Sequence, residues 1–358
     1  GSSGENEPFQ VSSEAPAPPR RGQDRRRDHR GSSRERRGGP QRTPSSSRAG
    51  GGPTKTRQPL VIERQPRDWD RFAEDACEFV FGIAPVLAAL RSRRRDYFYA
   101  LYVEVGFQDR LAPTRKAAKS KESTRAARIL DEATDVEVVE VPKGQLCEAP
   151  GLRDATTQGV ALCCSPLTPR PLSKLPVDAA PGTVYLALDE IQDPRNLGAL
   201  LRSARFLGAH GVLVSAKNSA PLSPVASKAS SGALEEMSQS IFGVKNLPKV
   251  LNEAKHNGNW RIVAAAVSKH TSVPLATFQP VGPRAPPTVV VLGSEGTGLR
   301  KLVLDAADHR VMVSPGIPAF DDISDVDSLN VAVTGALMLY HFLPWTKVSP
   351  ASDEEPRE

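Results

Sequence analysis

The chain has 358 residues and a formal net charge of +6, with 25% charged and 39% hydrophobic residues. This length and hydrophobic content suffice for about two folded domains. No apolar run approaches the roughly 20 consecutive residues that a membrane-spanning helix needs. The four cysteines lack the paired spacing of a disulfide framework or a zinc site.

Residues 1–66 are rich in Gly, Pro, Ser and Arg and contain almost no aromatic or β-branched residues. Such a segment cannot bury enough apolar surface to offset the entropy of ordering, which predicts disorder. Residues 1–60 carry 13 Lys/Arg against 6 Asp/Glu, so the basic net charge belongs to this tail. A basic tail can add salt-sensitive affinity for a polyanion. Residues 346–358 are predicted to be a second disordered tail, with an acidic composition.

Residues 67–164 are predicted to form a small α/β domain. Apolar positions between Phe72 and Leu90 predict a helical hairpin interrupted at Gly82 and Pro85, and strands are predicted at 97–104, 136–141 and 160–164. A basic helix is predicted at 115–130, and its cations are either a solvated face or contacts to RNA phosphates. The candidate RNA-binding residues are Arg115, Lys116, Lys119, Arg125 and Arg128.

A Pro-rich linker is predicted at 165–182, followed by a second domain at 183–345 in which strands and helices alternate. The predicted strands are 184–188, 211–215, 261–267, 288–292 and 310–313, and the predicted helices lie near 197–207, 224–237, 246–257, 299–307 and 328–342. Alternation with unbroken apolar strands predicts a parallel sheet covered on both faces.

Three short segments of this domain place polar or glycine residues where strands end or helices begin. They are Asn-Leu-Gly-Ala-Leu-Leu-Arg at 196–202, Gly-Ser-Glu-Gly-Thr-Gly at 293–298 and Ser-Leu-Asn at 328–330. The carboxyl ends of parallel strands are where α/β proteins form their ligand crevice. Asn196 is expected to cap its helix, and Arg202 follows less than two turns later, so both are expected to reach this crevice.

The glycine segment argues against a nicotinamide-dependent oxidoreductase. Its spacing is Gly-x-x-Gly-x-Gly rather than the Gly-x-Gly-x-x-Gly of a dinucleotide site. Glu295 is expected at the N-terminus of the next helix, where a carboxylate repels a pyrophosphate and favours a cationic ligand. The alternative is a tight turn whose Glu offsets the helix dipole. Helix capping by Asp327 or Ser328 is expected, but it does not explain Asn330, a poor helix former expected inside the first turn.

Together, the three segments resemble the motifs of the SpoU branch of the SPOUT RNA 2′-O-ribose methyltransferases. The resemblance covers about residues 183–343 and extends to the flanking segments 188–196, 202–208 and 228–233. Residues 81–90 and the Gln158-Gly-Val segment resemble the ribosomal-protein-L30e-like substrate-binding domain that often precedes this domain.

The resemblance implies an α/β fold with a trefoil-knotted SPOUT methyltransferase domain, an L30e-like domain before it, and a homodimer. It implies S-adenosyl-L-methionine as cofactor and large-subunit ribosomal RNA as partner, with 2′-O-methylation of a guanosine in the mitochondrial matrix. A tRNA ribose methyltransferase and a catalytically silent ribosome-assembly factor remain as alternatives.

The resemblance also assigns roles to individual residues. The expected catalytic residues are Asn196, Arg202, Glu295, Ser328 and Asn330, and the expected cofactor-binding residues are Leu292, Gly293, Gly298, Val313 and Leu329. Because a guanidinium stays protonated, Arg202 is expected to hold the adjacent phosphate and stabilise the developing alkoxide, with Glu295 or a water taking the proton. Ser328 and Asn330 are expected to orient the ribose.

Two departures from the family pattern stand out. The acidic loop 315–327 is longer than usual and shows no metal-ligand pattern, so no metal site is predicted. Thr157 replaces the family's usual His before Gln158.

Overall fold

The computed structural model describes residues 77–107, 121–266, 272–279, 285–314 and 328–343. Both predicted tails lie outside these residues, as do Arg115, Lys116, Lys119 and the acidic loop 315–327. The described residues form a four-stranded and an eight-stranded sheet.

The smaller sheet belongs to the region predicted as the first domain. Its elements are β1 (Glu78–Phe81), α1 (Ile83–Ser92), β2 (Phe98–Glu104), α2 (Lys121–Glu132), β3 (Glu137–Val141) and β4 (Val160–Cys164). The strand order is β1-β4-β2-β3; β2 and β3 are parallel, and the other pairs are antiparallel. The strands predicted at 97–104, 136–141 and 160–164 are confirmed to within one residue.

The predicted helical hairpin is wrong at Glu78–Phe81, which is a strand, while its residues 72–76 lie outside the described ranges. The four residues of the strand pair with β4, and the side chains from Phe79 to Phe81 are buried. Gly82 then adopts φ +90°, a conformation open mainly to glycine, and α1 begins at the next residue. Pro85 lies in the first turn of α1, where a backbone N–H has no helical partner to lose.

The larger sheet contains eight parallel strands in the order β10-β12-β9-β11-β6-β7-β8-β5. These strands are β5 (Arg170–Pro171), β6 (Val184–Asp189), β7 (Gly211–Ser215), β8 (Ile241–Val244), β9 (Arg261–Ala265), β10 (Val273–Pro274), β11 (Thr288–Gly293) and β12 (His309–Met312). The helices are α3 (Pro194–Leu207), α4 (Pro224–Ala229), α5 (Ala233–Glu236), α6 (Leu247–Gly258), α7 (Lys301–Ala306) and α8 (Val331–Phe342).

Helices cover this sheet on both faces, as the apolar strands predicted. Val290 of β11 belongs to the buried cluster that includes residues of α3 and α8. Its neighbours Val289 and Val291 belong to the cluster that includes residues of α6 and α7. This alternation places consecutive strand residues on opposite faces, each packed against helices.

Two predicted segments differ in detail. The helix predicted near 224–237 is divided into α4 and α5 by a turn in which Gly232 adopts φ +89°. The segment predicted as a linker packs against the larger sheet, since Arg170–Pro171 pairs with β8 and Leu175 is buried. The strand β8 itself was not predicted.

Candidate active site

The candidate site lies at the carboxyl ends of β6 and β11, which are adjacent strands. Leu188 pairs with Leu292, and Asp189 pairs with Gly293 in register. The chain runs from β6 through β7 to β8 on one side, then crosses to β9 and β11 on the other. The strand order therefore reverses at β6, and such a switch point is where an open parallel sheet forms its ligand crevice.

The start of α3 places Asn196 at this crevice. Asp193 is the helix cap, since its Oδ1 accepts a hydrogen bond from Arg195 N over 2.8 Å, and Pro194 is the first helical residue. The prediction that Asn196 caps the helix is therefore wrong. Because Asp193 serves as the cap, the Asn196 side chain is used elsewhere: its Nδ2 donates a hydrogen bond to Glu295 Oε1.

Glu295 lies in a tight turn rather than at a helix N-terminus. Ser294 and Gly298 close this turn with two backbone hydrogen bonds of 3.1 and 2.8 Å, and α7 begins only at Lys301. The prediction that Glu295 faces a helix dipole is wrong for this reason. A Cβ atom on Gly293 would lie 2.4 Å from the carbonyl carbon of Gly298, so the close return of the chain requires glycine there.

Asn330 caps α8, which begins at Val331. Its Oδ1 accepts a hydrogen bond from Ala332 N over 2.9 Å, while its Nδ2 donates to Asn196 Oδ1 over 3.2 Å. The expectations that Asp327 or Ser328 caps this helix, and that Asn330 lies inside its first turn, are wrong. Asn330, Asn196 and Glu295 thus form one hydrogen-bonded chain, here called the amide–carboxylate cluster.

Electrostatics make the cluster carboxylate a stronger base than a fully solvated one. Partial burial raises the pKa of Glu295, and the negative charge of Asp193 raises it further. The Asn196 amide presents its nitrogen to this carboxylate because its oxygen accepts from Asn330. A carboxylate held in this way can accept a proton from a bound hydroxyl group.

Arg202 and Ser328 lie near the cluster in sequence but differ in their placement. Arg202 is exposed on α3, six residues after Asn196 and about 120° around the helix from it. Within the described part of the chain, Arg202 makes no hydrogen bond or ion pair with the cluster. Ser328 is exposed two residues before the α8 cap. The structure therefore joins three of the five predicted catalytic residues directly.

Comparison with known proteins gives the family. The model of the SpoU rRNA methylase family matches residues 183–340. The human protein named rRNA methyltransferase 1, mitochondrial, is 33% identical over 288 residues, which cover 77% of this chain and 75% of that protein. The chain belongs to the SpoU methyltransferase family. A tRNA/rRNA methyltransferase of Mycobacterium ulcerans is a further relative, 31% identical over 77% of this chain and 79% of its own length.

Solved structures show the same fold. The SpoU methyltransferase AviRb from Streptomyces viridochromogenes, in complex with the cofactor AdoMet, superposes with a TM-score of 0.53 at 19% identity, over 77% of this chain and 95% of that one. An RNA 2′-O ribose methyltransferase superposes with a TM-score of 0.54 at 23% identity, over 77% and 92%. The α/β fold with a parallel SpoU sheet is confirmed, while the trefoil knot and the L30e-like nature of the small domain stay predictions.

The predicted cofactor-binding residues occupy different environments in the SpoU domain. Leu292 is buried against α8, because a Cβ atom on Gly335 would lie 2.7 Å from Leu292 Cδ1. Only its backbone is therefore in a position to face the crevice. Leu329 is exposed, Gly298 is exposed at φ +67°, and a Cβ atom on Gly298 would have no neighbour within 4 Å. Val313 follows β12, which β9 separates from β11.

Sequence reasoning missed an ion pair beside the candidate site. Asp189 is fully buried at the end of β6, and its two carboxylate oxygens accept from Arg300 N over 3.1 Å and from Arg300 Nε over 2.9 Å. The hydrogen bond with Asp189 raises the pKa of Arg300. The Asp189–Arg300 pair connects the end of β6 to the segment that follows the Glu295 turn. The sequence offered one indication of it, since Asp189 is an acidic residue at the end of an apolar strand.

The remaining predicted residues lie on the smaller sheet domain. Arg125 and Arg128 are exposed on α2, whereas Ala126 and Ile129 of the same helix are buried. No helix among the described residues is long and apolar enough to cross a membrane. In the same ranges, no group of three or more His, Cys, Asp or Glu side chains is arranged to hold a metal ion.

Proposed function

We propose that this SpoU protein methylates the 2′-hydroxyl of a guanosine in mitochondrial large-subunit ribosomal RNA, with S-adenosyl-L-methionine as the methyl donor. The hydrogen-bonded cluster of Asn196, Glu295 and Asn330 carries the proposal, because it puts a proton acceptor and two amides at the switch point of the sheet. The 77% of the chain that aligns with human mitochondrial rRNA methyltransferase 1 supports the choice of RNA and compartment.

The residues at the crevice fit a cationic cofactor. Glu295 provides the only charge of the cluster, and it is negative. Gly296 and Gly298 leave an open backbone edge beside it, since a Cβ atom on either would meet nothing within 4 Å. Exposed Leu329 adds an apolar contact at the start of α8. When bound, S-adenosyl-L-methionine supplies an electrophilic methyl group.

The chain's own residues have two tasks in this reaction, which are to orient the ribose and to remove its proton. Glu295 takes the proton from the 2′-hydroxyl, and its raised pKa favours that transfer. The Asn196 amide holds the carboxylate in place and Asn330 holds the Asn196 amide, so little reorganisation is needed as charge develops. Arg202 holds the phosphate next to the target ribose, and Ser328 contacts the sugar.

The target nucleic acid is RNA because the modified group is the 2′-hydroxyl, which DNA lacks. The exposed Arg125 and Arg128 of α2 provide positive charge for the RNA backbone. Arg115, Lys116 and Lys119 extend this basic stretch in the sequence but lie outside the described residues.

We further propose that the protein is a homodimer joined through α8. This helix exposes Val333, Leu337 and Tyr340, which share one face at helical spacing, and exposed Leu329 precedes them. A contiguous apolar stripe of this kind is typical of a protein–protein interface. Pairing with a second copy would bury it in a self-complementary contact.

The decisive experiment incubates the purified chain with S-adenosyl-L-methionine and, in parallel, transcripts of mitochondrial large-subunit rRNA and of tRNA, and then maps ribose methylation by nucleotide. A new 2′-O-methylguanosine that disappears with Asn196→Ala supports the proposal. Methylation of tRNA alone would replace it with the tRNA alternative. Cofactor-independent RNA binding without any methylation would favour the silent assembly factor.

A further inference from the structure

The smaller sheet domain packs tightly against α4 and α5 of the SpoU domain. A Cβ atom on Gly232, at the turn before α5, would lie 2.6 Å from Ala88 Cβ and 2.9 Å from the carbonyl oxygen of Ala84. Both alanines belong to α1. Only a glycine therefore allows α1 to approach this turn so closely.

A buried ion network crosses the same interface. Arg95 of the small domain donates to both carboxylate oxygens of Glu235 in α5, over 3.0 and 2.6 Å. It also donates to Glu78 Oε1 and to the carbonyl oxygen of Ser165, both over 2.6 Å. The side chains of Arg95 and Glu235 are fully buried.

The network restricts orientation more than it adds stability. Removing two charges from water costs about as much as their attraction returns, so a buried ion pair is weak evidence of stabilisation. A planar guanidinium bonded to both oxygens of one carboxylate, however, accepts a narrow range of relative positions. The bidentate geometry of the Arg95–Glu235 pair therefore tolerates few relative positions of α5 and the small domain.

A second polar contact across this interface joins Gln158 of the small domain to Lys228 of α4. Gln158 adopts φ +57°, and its Oε1 accepts from Ile83 N over 3.1 Å and from Lys228 Nζ over 2.8 Å. It therefore satisfies the start of α1 and a residue of α4 together. A Cβ atom on Gly82 would lie 2.3 Å from Lys228 Nζ, the flexible end of that side chain, so Lys228 packs directly against Gly82.

The interface continues to α3, the helix that carries Asn196 of the cluster. A Cβ atom on Gly198 of α3 would lie 2.5 Å from the carbonyl oxygen of Ala226 and 2.6 Å from Ala229 Cβ, both in α4. Asn196 lies two residues before Gly198. Close-packed helices thus connect α1 of the small domain, through α4, to the start of α3.

We propose that the Arg95–Glu235 and Gln158–Lys228 contacts form a latch that holds the small domain at one distance and orientation from the amide–carboxylate cluster. This proposal rests on the proposed function. Arg95, Glu235, Gln158 and Lys228 are then positioning residues, because the orientation they fix decides which ribose of a large structured RNA reaches Glu295. A short RNA that spans only the target nucleotide needs no such selection.

The test combines small-angle scattering with methylation kinetics. Glu235→Ala leaves Arg95 without its bidentate partner, and we expect a larger radius of gyration. On a large rRNA fragment, kcat/KM should fall about tenfold or more, mainly through KM, while activity on a short oligonucleotide stays within about twofold. Lys228→Met, which keeps the length of the side chain, should give a smaller effect of the same kind.

A matched control replaces the network by apolar residues, with Glu78→Leu, Arg95→Met and Glu235→Leu combined. Apolar substitutes often keep a buried interface closed, so this variant should scatter like the wild type. It lacks the directional bidentate contact, however, and should lose part of the wild type's choice of nucleotide. Wild-type scattering that already requires separated domains would overturn the latch, as would unchanged scattering and nucleotide choice in both Glu235→Ala and Lys228→Met. The scattering result stands even if the wild type methylates no RNA, so the two proposals fail separately.

Discussion

Asn330 Nδ2 donates a hydrogen bond to Asn196 Oδ1 over 3.2 Å, although 134 positions separate the two residues. The contact joins the start of α8 to the start of α3. It occupies the Asn196 oxygen, which leaves the Asn196 nitrogen to face Glu295. One amide–amide contact therefore sets the direction of a second hydrogen bond at the proposed proton acceptor.

Asn330→Asp separates the two roles of this residue. A carboxylate still accepts from Ala332 N and still caps α8, so the free energy of unfolding should change by less than about 0.5 kcal/mol. It cannot donate to Asn196, and methyl transfer should fall about tenfold or more. Asn330→Ala should lose both roles and also about 1 kcal/mol of stability. Urea unfolding measures the stability of the two variants, and methyl incorporation measures their activity. Full activity in Asn330→Asp would show that the hydrogen bond from Asn330 to Asn196 is not needed for methyl transfer.

Asp193→Asn tests Glu295 as the proton acceptor through the pH profile. The charge of Asp193 raises the pKa of Glu295, so removing that charge lowers it. Since the active form of the base is deprotonated, the acidic limb of the kcat profile should move to lower pH. Asparagine keeps the α3 cap, and partial burial, the larger cause of the raised pKa, remains. A limb that stays in place or moves to higher pH would exclude Glu295 from this role.

Gly293→Ala and Gly296→Ala form a matched pair in the Glu295 turn. A Cβ atom at Gly293 would lie 2.4 Å from backbone atoms of Gly298 and Leu299, whereas one at Gly296 would meet nothing within 4 Å. We expect Gly293→Ala to displace the turn and reduce methyl transfer about 100-fold. Gly296→Ala should keep wild-type folding, as judged by circular dichroism and thermal unfolding. If both substitutions change thermal unfolding to the same extent, the close return of the chain at Gly293 is unimportant.

Leu337→Asp tests the proposed α8 dimer. A charge in the middle of the exposed stripe would have to be buried on association, which costs several kcal/mol when the charge is unpaired. Sedimentation velocity should therefore show a dimer for the wild type and a monomer for this variant. Leu302→Asp is the control, because Leu302 is exposed on α7, outside the stripe. A wild-type monomer, or a dimer in which Leu337→Asp has no effect, would exclude α8 as the interface.

The main strands of the larger sheet could be predicted because each is an unbroken apolar run. Val184–Asp189, Gly211–Ser215 and Thr288–Gly293 are buried on both faces of the sheet, so burial alone accounts for their composition. The first strand among the described residues, Glu78–Phe81, could not be recognised in this way. Its four residues run directly into an apolar helix, and only pairing with β4 distinguishes a strand from the preceding half of a helical hairpin.

The candidate site was likewise predictable only in part. The glycines and polar residues at 196–202, 293–298 and 328–330 marked the crevice, since residue type reflects local requirements for turns, caps and charge. Their partners could not be read from the chain, because the Asn196–Glu295 and Asp189–Arg300 contacts span 99 and 111 positions. Burial and backbone propensity act on near neighbours and are written in the sequence. Which strand ends meet is decided by the order in which the strands pack, and only the tertiary structure shows it.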